Sequence, residues 1–133
     1  MNAPLPNDPR SLLHLPRTEL LIDGAWRAAS DGGTFETLDP STAERIADVA
    51  HATSVDVDRA VCAARVALTA GPWARMPGRE RGRLMHRLAD ALERESERFV
   101  ALEAIDAGKP LAATRRQDIP AAIDCLAYYA GWA

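Results

Sequence analysis

The sequence predicts a mainly α-helical chain that opens with a few short β-strands. Two observations carry this reading. Up to Ala50 the apolar residues alternate only in short runs, each closed by a glycine or proline turn signal. From Ser54 onward they recur every three or four residues, the spacing of a helix with one apolar face. Neither an internal repeat nor a low-complexity stretch interrupts the pattern.

The elements come in order along the chain. Prolines at 4, 6, 9 and 16, with few apolar residues between them, predict a flexible lead-in over residues 1–18. It has no basic start followed by an apolar block, so it does not read as a signal peptide. Residues 19–23 are a strand candidate closed by Asp23-Gly24, and residues 26–29 can pair back on it as a hairpin. Asp31-Gly32-Gly33 marks a second turn, before a strand over 34–38 that Asp39-Pro40 ends. A turn over 41–44 leads to a further strand over 45–50.

Ser54 is the expected N-cap of the first helix, with Asp56 and Asp58 near its positive end and Val57, Val61, Ala64 and Leu68 as its apolar face. Gly71-Pro72 stops it. Pro77 suits the first turn of the next helix, whose stripe is Leu84, Leu88 and Leu92, widened by Met85 and Ala89, with a break expected near Ser96. Gly108 is the expected C-cap, and Pro110 forbids continuation. A third helical region is expected from about Arg116, with Pro120 in its first turn.

Length and composition narrow the function. The chain has 133 residues, enough for one modest domain. A net charge of −3 gives no pull toward nucleic acid or an anionic membrane surface. No apolar run approaches the ~20 residues that span a bilayer. Two cysteines, Cys62 and Cys125, fit neither a disulfide framework nor a zinc spacing, and read as reduced thiols of a cytoplasmic protein.

A catalytic constellation is not found. Neither cysteine has a neighbouring base or a helix-start position that would favour the thiolate. No glycine-rich dinucleotide or phosphate loop is present, and Gly108-Lys109-Pro110 reads as a helix stop. Arg75, Arg79, Arg81, Arg83 and Arg87 lack interleaved aromatics and precede an acidic run, Glu93, Glu95 and Glu97, so they read as a solvated face or salt bridges to a partner. His14, His51 and His86 are scattered, without zinc-ligand spacing. Trp26, Trp73 and Trp132 read as core or interface anchors.

Six short segments carry a resemblance. They are Leu20-Leu21-Ile22-Asp23-Gly24-Ala25-Trp26, Asp39-Pro40-Ser41-Thr42, Pro72-Trp73-Ala74-Arg75-Met76, Glu80-Arg81-Gly82-Arg83-Leu84, Asp106-Ala107-Gly108-Lys109-Pro110 and Tyr128-Tyr129-Ala130-Gly131-Trp132-Ala133. In this order and spacing they resemble the N-terminal portion of the NAD(P)-dependent aldehyde dehydrogenase superfamily. The resemblance implies an α/β family fold, with residues 19–133 as the incomplete N-terminal part of its domain. It implies oxidation of an aldehyde to a carboxylic acid, with NAD or NADP as cofactor and a homo-oligomeric complete enzyme. The family's thiol, glutamate base, oxyanion asparagine and cofactor loops belong to segments beyond these motifs. The chain alone is therefore expected to be inactive, to hold no catalytic residue and to bind no cofactor.

Two further features are implied by the resemblance. Some members hold a monovalent cation at positions that look like Thr37, Leu38 and Asp106, and oxygen donors suit a hard cation. For Asp106 a solvated carboxylate near a helix end is the plain alternative. The helix before Tyr128 borders the aldehyde entrance in the family, and the matching positions look like Gln117 and Ala121. A small Ala121 would leave room for a bulky or aromatic aldehyde, unless it is simply a packing alanine. The apolar run Cys125 to Tyr129 is expected to form an exposed patch. The rival functional reading is a stand-alone helical module that docks on a full-length dehydrogenase subunit. An independent small enzyme is disfavoured for want of a catalytic constellation.

Overall fold

The computed structural model describes Leu15 and residues 17–133. Most of the expected lead-in, and His14 with it, lies outside the described residues. The described chain divides into two compact units: residues 15–38 with 45–76, and residues 39–44 with 77–133.

In the first unit, β1 (Leu20–Ile22) and β2 (Ala25–Arg27) form an antiparallel hairpin with Ile22 opposite Ala25. Asp23 and Gly24 both take positive φ, 53° and 71°, which matches the twist of the two strands. The second strand starts at Ala25, one residue before the expected position. β3 (Thr34–Leu38) and β4 (Arg45–Ala50) form a second antiparallel pair at the bounds the alternation predicts. Their ladder is interrupted between Thr37, opposite Ala47, and Leu38, opposite Arg45, so Ile46 is an extra residue in β4.

Helix α1 (Ser54–Thr69) begins one residue earlier than expected, with Thr53 as its N-cap. Thr53 is extended, and its Oγ1 accepts the Asp56 amide at 3.3 Å, while the Asp56 carboxylate accepts the Thr53 amide at 3.0 Å. Two amides that a helix start leaves without intrahelical partners are thus satisfied reciprocally. Asp56 also accepts from the amide of Ser30 at 2.9 Å and from its hydroxyl at 3.1 Å. This fastens the turn after β2 to the helix. The backbone amides of Ser30 and then Thr53 hold the carboxyl down at about 2.

The expected apolar face of α1 is not covered. Val57, Val61 and Leu68 are 52%, 53% and 65% exposed, and Asp56 is the buried residue of this helix. Periodicity reports a face able to pack; among the described residues nothing packs over it. Helix α2 (Pro72–Arg75) comes directly after, with Pro72 in its first turn, where a missing amide costs nothing.

The second unit is helical. It contains α3 (Gly78–Arg94), α4 (Ser96–Ala107), α5 (Leu111–Ala113), a π-helical turn (Thr114–Asp118) and α6 (Ile119–Ala130). Ala89, Val100, Ala101, Ile105, Ile119 and Ala130 form its buried apolar residues. Helices α3 and α6 approach closely where α3 carries glycine. A Cβ on Gly82 would sit 2.6 Å from the Ala130 carbonyl oxygen, and one on Gly78 would sit 2.6 Å from that of Ala133. Of the expected stripe, Ala89 is buried and Leu84, Met85 and Leu92 are half-buried, whereas Leu88 is 55% exposed; Gly82, outside the stripe, is buried at the close approach. Pro77 is the residue before α3 rather than part of its first turn.

The break expected near Ser96 occurs at Glu95, which separates α3 from α4. Gly108 ends α4 in the left-handed conformation at φ 66°, and a Cβ there would sit 2.7 Å from Cγ of Pro40. The next helix starts at Leu111, five residues before the expected Arg116. Its backbone stays right-handed through a π-turn in which the Ile119 amide reaches the Thr114 carbonyl. Pro120 accounts for this. In a regular turn its ring would meet the Arg116 carbonyl and offer it no amide, and widening the helix ahead of a proline relieves both problems.

Both units make a testable demand on stability. Gly82→Ala forces α3 and α6 apart and should lower unfolding free energy by about 1–3 kcal/mol in a urea titration; an unchanged midpoint would show that the contact relaxes freely. The Asp56 carboxyl is depressed from 3.8 to about 2, so its stabilising contribution is complete above about pH 4 and is lost as pH falls toward 2. The thermal midpoint of Asp56→Asn should lie below the parent at neutral pH and converge on it through that window. A gap independent of pH would overturn the assignment.

Candidate functional site

The family-suggested positions fall in both units. Thr37 is half-buried and Leu38 is 47% exposed, both at the end of β3 beside the interrupted ladder. Asp106 is exposed in the last turn of α4. Gln117 lies in the π-turn and Ala121 in the first turn of α6, and both are exposed.

Around Gln117 the backbone is anchored on both sides. Thr114 is fully buried, and its hydroxyl contacts the carbonyls of Leu111 at 3.0 Å and of Val100, in α4, at 3.3 Å. At the other end of the turn, Lys109 Nζ donates to Asp118 at 3.0 Å and to Glu103, on α4, at 2.7 Å. The side-chain bonds to Glu103 and then Asp118 raise the Lys109 pKa, as expected for an ammonium between two carboxylates. Arg115 adds a two-pronged bond to Glu97, Nε to Oε1 at 3.2 Å and Nη2 to Oε2 at 2.9 Å. The turn is thus tied to α4 by a buried hydroxyl and two ion-pair systems.

Next to this anchor runs a groove of about 250 Å³ with an apolar floor, Val100, Ile119 and Ile123, and polar sides that include Glu97, Arg115 and Asp124. Gln117 and Ala121 are not among its lining residues. The groove and the exposed positions therefore use different sides of the same helix.

Cys62 on α1 and Cys125 on α6 are both exposed and unpaired. Among the described residues, no group of three or more His, Cys, Asp or Glu side chains gathers as a metal site. Near the end of α6 the rings of Tyr128 and Tyr129 meet edge to face at 5.2 Å, and Tyr128 lies 6.2 Å from Trp132. In the run Cys125 to Tyr129 the two tyrosines are 61% and 57% exposed while Leu126 and Ala127 are half-buried, so the expected exposed apolar patch is present in part. No described helix is long and apolar enough to cross a membrane.

The residues that organise the two units differ in how much sequence signal they carry. The Thr53-x-x-Asp56 pairing has the spacing of a capping box and is legible in principle. Lys109, by contrast, reads in the sequence only as part of a helix stop. Its partners stand six and nine residues away, and only the reversal at Gly108 and the turn at 114–118 bring them together. Thr114 gives no local signal at all.

The same chain has clear relatives. Residues 26–133 match the family described as the aldehyde dehydrogenase family. A mitochondrial aldehyde dehydrogenase of Equus caballus is 44% identical over 98% of the chain and 26% of its own length. A mitochondrial benzaldehyde dehydrogenase of Antirrhinum majus is 46% identical over 86% of the chain and 22% of its own length. Among solved structures, an aldehyde dehydrogenase from Bacillus cereus in complex with NAD+ superposes with a TM-score of 0.87 at 39% identity, covering 99% of this chain and 27% of that one. The chain spans about a quarter of the length of these relatives.

Proposed function

The chain belongs to the aldehyde dehydrogenase family, and from that premise we propose that it forms the N-terminal part of an NAD(P)-dependent enzyme oxidising an aldehyde to a carboxylic acid. The observation that carries this reading is the collinear match over residues 26–133. NAD is favoured because a structural relative binds NAD+. Within this reading the 133 residues by themselves are inactive, since Cys62 and Cys125 have no neighbouring base in sequence and no glycine-rich cofactor loop is present.

Within this reading Gln117 and Ala121 border the aldehyde entrance. Their exposure leaves them available to a substrate, and the small Ala121 suits a bulky or aromatic aldehyde. A relative named as a benzaldehyde dehydrogenase supports that choice. A monovalent cation held by main-chain oxygens of Thr37 and Leu38 and by the Asp106 carboxylate also belongs to the reading. Its support is the donor chemistry alone: main-chain carbonyls and a carboxylate are the oxygen ligands a hard cation takes. The complete enzyme is read as a cytoplasmic homo-oligomer. Unpaired thiols agree with a reducing compartment, although two of the named relatives are mitochondrial. Cell fractionation and light scattering on the complete enzyme check these two points, and an organellar monomer would refute both.

The central test has two arms. The isolated chain should produce no NADH or NADPH from any aldehyde, and production would overturn its inactivity. Residues 20–133, grafted in place of the matching part of the Bacillus cereus enzyme, should restore NAD-dependent oxidation of benzaldehyde. A folded but inactive graft would sink the reading. In an active graft, Ala121→Phe should raise the benzaldehyde KM by about tenfold. The cation has its own readout. Potassium or sodium should raise the thermal midpoint of the graft, and Asp106→Ala should abolish that rise; an equal rise in both would remove Asp106 from the site.

A further inference from the structure

Gln117 and Ala121 are four residues apart, yet they do not share one regular helix. The π-turn Thr114–Asp118 stands between the start of the helix at Leu111 and α6. A π-turn admits one extra residue without breaking the helix, so it rotates the residues before it by about 100° relative to those after it. Conversion to a regular α-turn would swing Gln117 around the helix while leaving Ala121 in place. The direction in which Gln117 faces is therefore set by the register of this turn.

Two kinds of force act on that register. Pro120 opposes the regular alternative from within, because an α-turn would drive its ring against the Arg116 carbonyl. From outside, Lys109 holds Asp118, the last residue of the turn, at 3.0 Å and simultaneously holds Glu103 of α4 at 2.7 Å. Thr114, the first residue of the turn, is fixed to Val100 of the same helix α4. The two ends of the turn are thus pinned to one helix, with Gln117 between the pins. An exposed ion pair contributes little to global stability. A contact made in one helical register alone nevertheless shifts the balance between registers by its full differential worth.

We infer that Lys109 is a positioning residue for substrate selection: by bridging Glu103 and Asp118 it fixes the π-turn and so sets where Gln117 stands relative to Ala121. The inference rests on the aldehyde-entrance reading of those two positions. Lys109 touches neither substrate nor cofactor in this role. It acts through Gln117 and affects which aldehyde is admitted, leaving the chemical step alone.

The experiment uses the graft onto the Bacillus cereus enzyme together with the 133-residue chain. In the graft, Lys109→Met should change the ratio of benzaldehyde KM to acetaldehyde KM by about threefold, with kcat preserved. Lys109→Arg should restore the parental ratio. Pro120→Ala, which returns the amide used by a regular turn, should shift the ratio in the same direction as Lys109→Met. An unchanged ratio, or an equal loss of kcat for both aldehydes, would overturn the inference. In the isolated chain, Lys109→Met should speed amide hydrogen exchange over residues 114–118 while the core amides of α3 keep their protection. Unchanged exchange there refutes the clamp even if the graft proves inactive, so failure of the clamp and failure of the entrance reading are separable.

Discussion

The helical unit depends on one close approach. Gly82 of α3 brings the backbone of that helix so near the end of α6 that a single methyl group would collide with the Ala130 carbonyl. This contact locates one end of α6. The other end is located independently, by Thr114 and Lys109 against α4. A rigid helix of fixed pitch need not satisfy two such anchors at once, least of all with a proline in its first turn. The π-turn supplies the adjustment. It lets the segment from Leu111 to Ala130 keep a right-handed helical backbone while its two ends obey different neighbours.

The strand-containing unit is organised by a charge. Asp56 is 3% exposed, an unusual place for a carboxylate, and four donor groups from Ser30 and Thr53 converge on it. Two of them are backbone amides, which stabilise the anion strongly and keep it ionised through ordinary pH. The same carboxylate begins α1 and ties down the turn after β2. Apolar burial does little on this helix, since its valines and Leu68 remain about half exposed or more. Hydrogen bonding to one side chain thus does in this unit what glycine-mediated packing does in the other.

These two mechanisms explain how much is legible in the sequence. Turn chemistry is local, so Asp23-Gly24, Gly108 and the bounds of β3 and β4 can be read from adjacent residues. Burial is not local. The predicted stripe has the right period and includes the buried Ala89, yet Leu88 stays exposed and Gly82 is buried, because the side that packs is set by where α6 can come closest. The early start at Leu111 is hidden for a related reason. Pro120 marks a helix start to any local reading, and only contacts with α4 make it worth continuing a helix through the preceding turn. The candidate positions Asp106, Gln117 and Ala121 come only from the resemblance, and the groove beside Arg115 is invisible to a linear reading because its walls come from both α4 and α6.

Selectivity and chemistry need not come from the same residues of an enzyme. Rates depend on interactions that differ between ground and transition states, whereas admission to a site depends on the shape of its mouth. Side chains at a mouth need defined positions, and a helix surface defines them well only if the helix cannot rotate. Here rotation is opposed at three places: Thr114 below the turn, Lys109 beside it and Gly82 at the far end of α6. Each restraint acts on backbone position rather than on the reacting atoms. Together they hold one stretch of helix still, so that the exposed side chains it carries, Gln117 and Ala121 among them, keep defined positions.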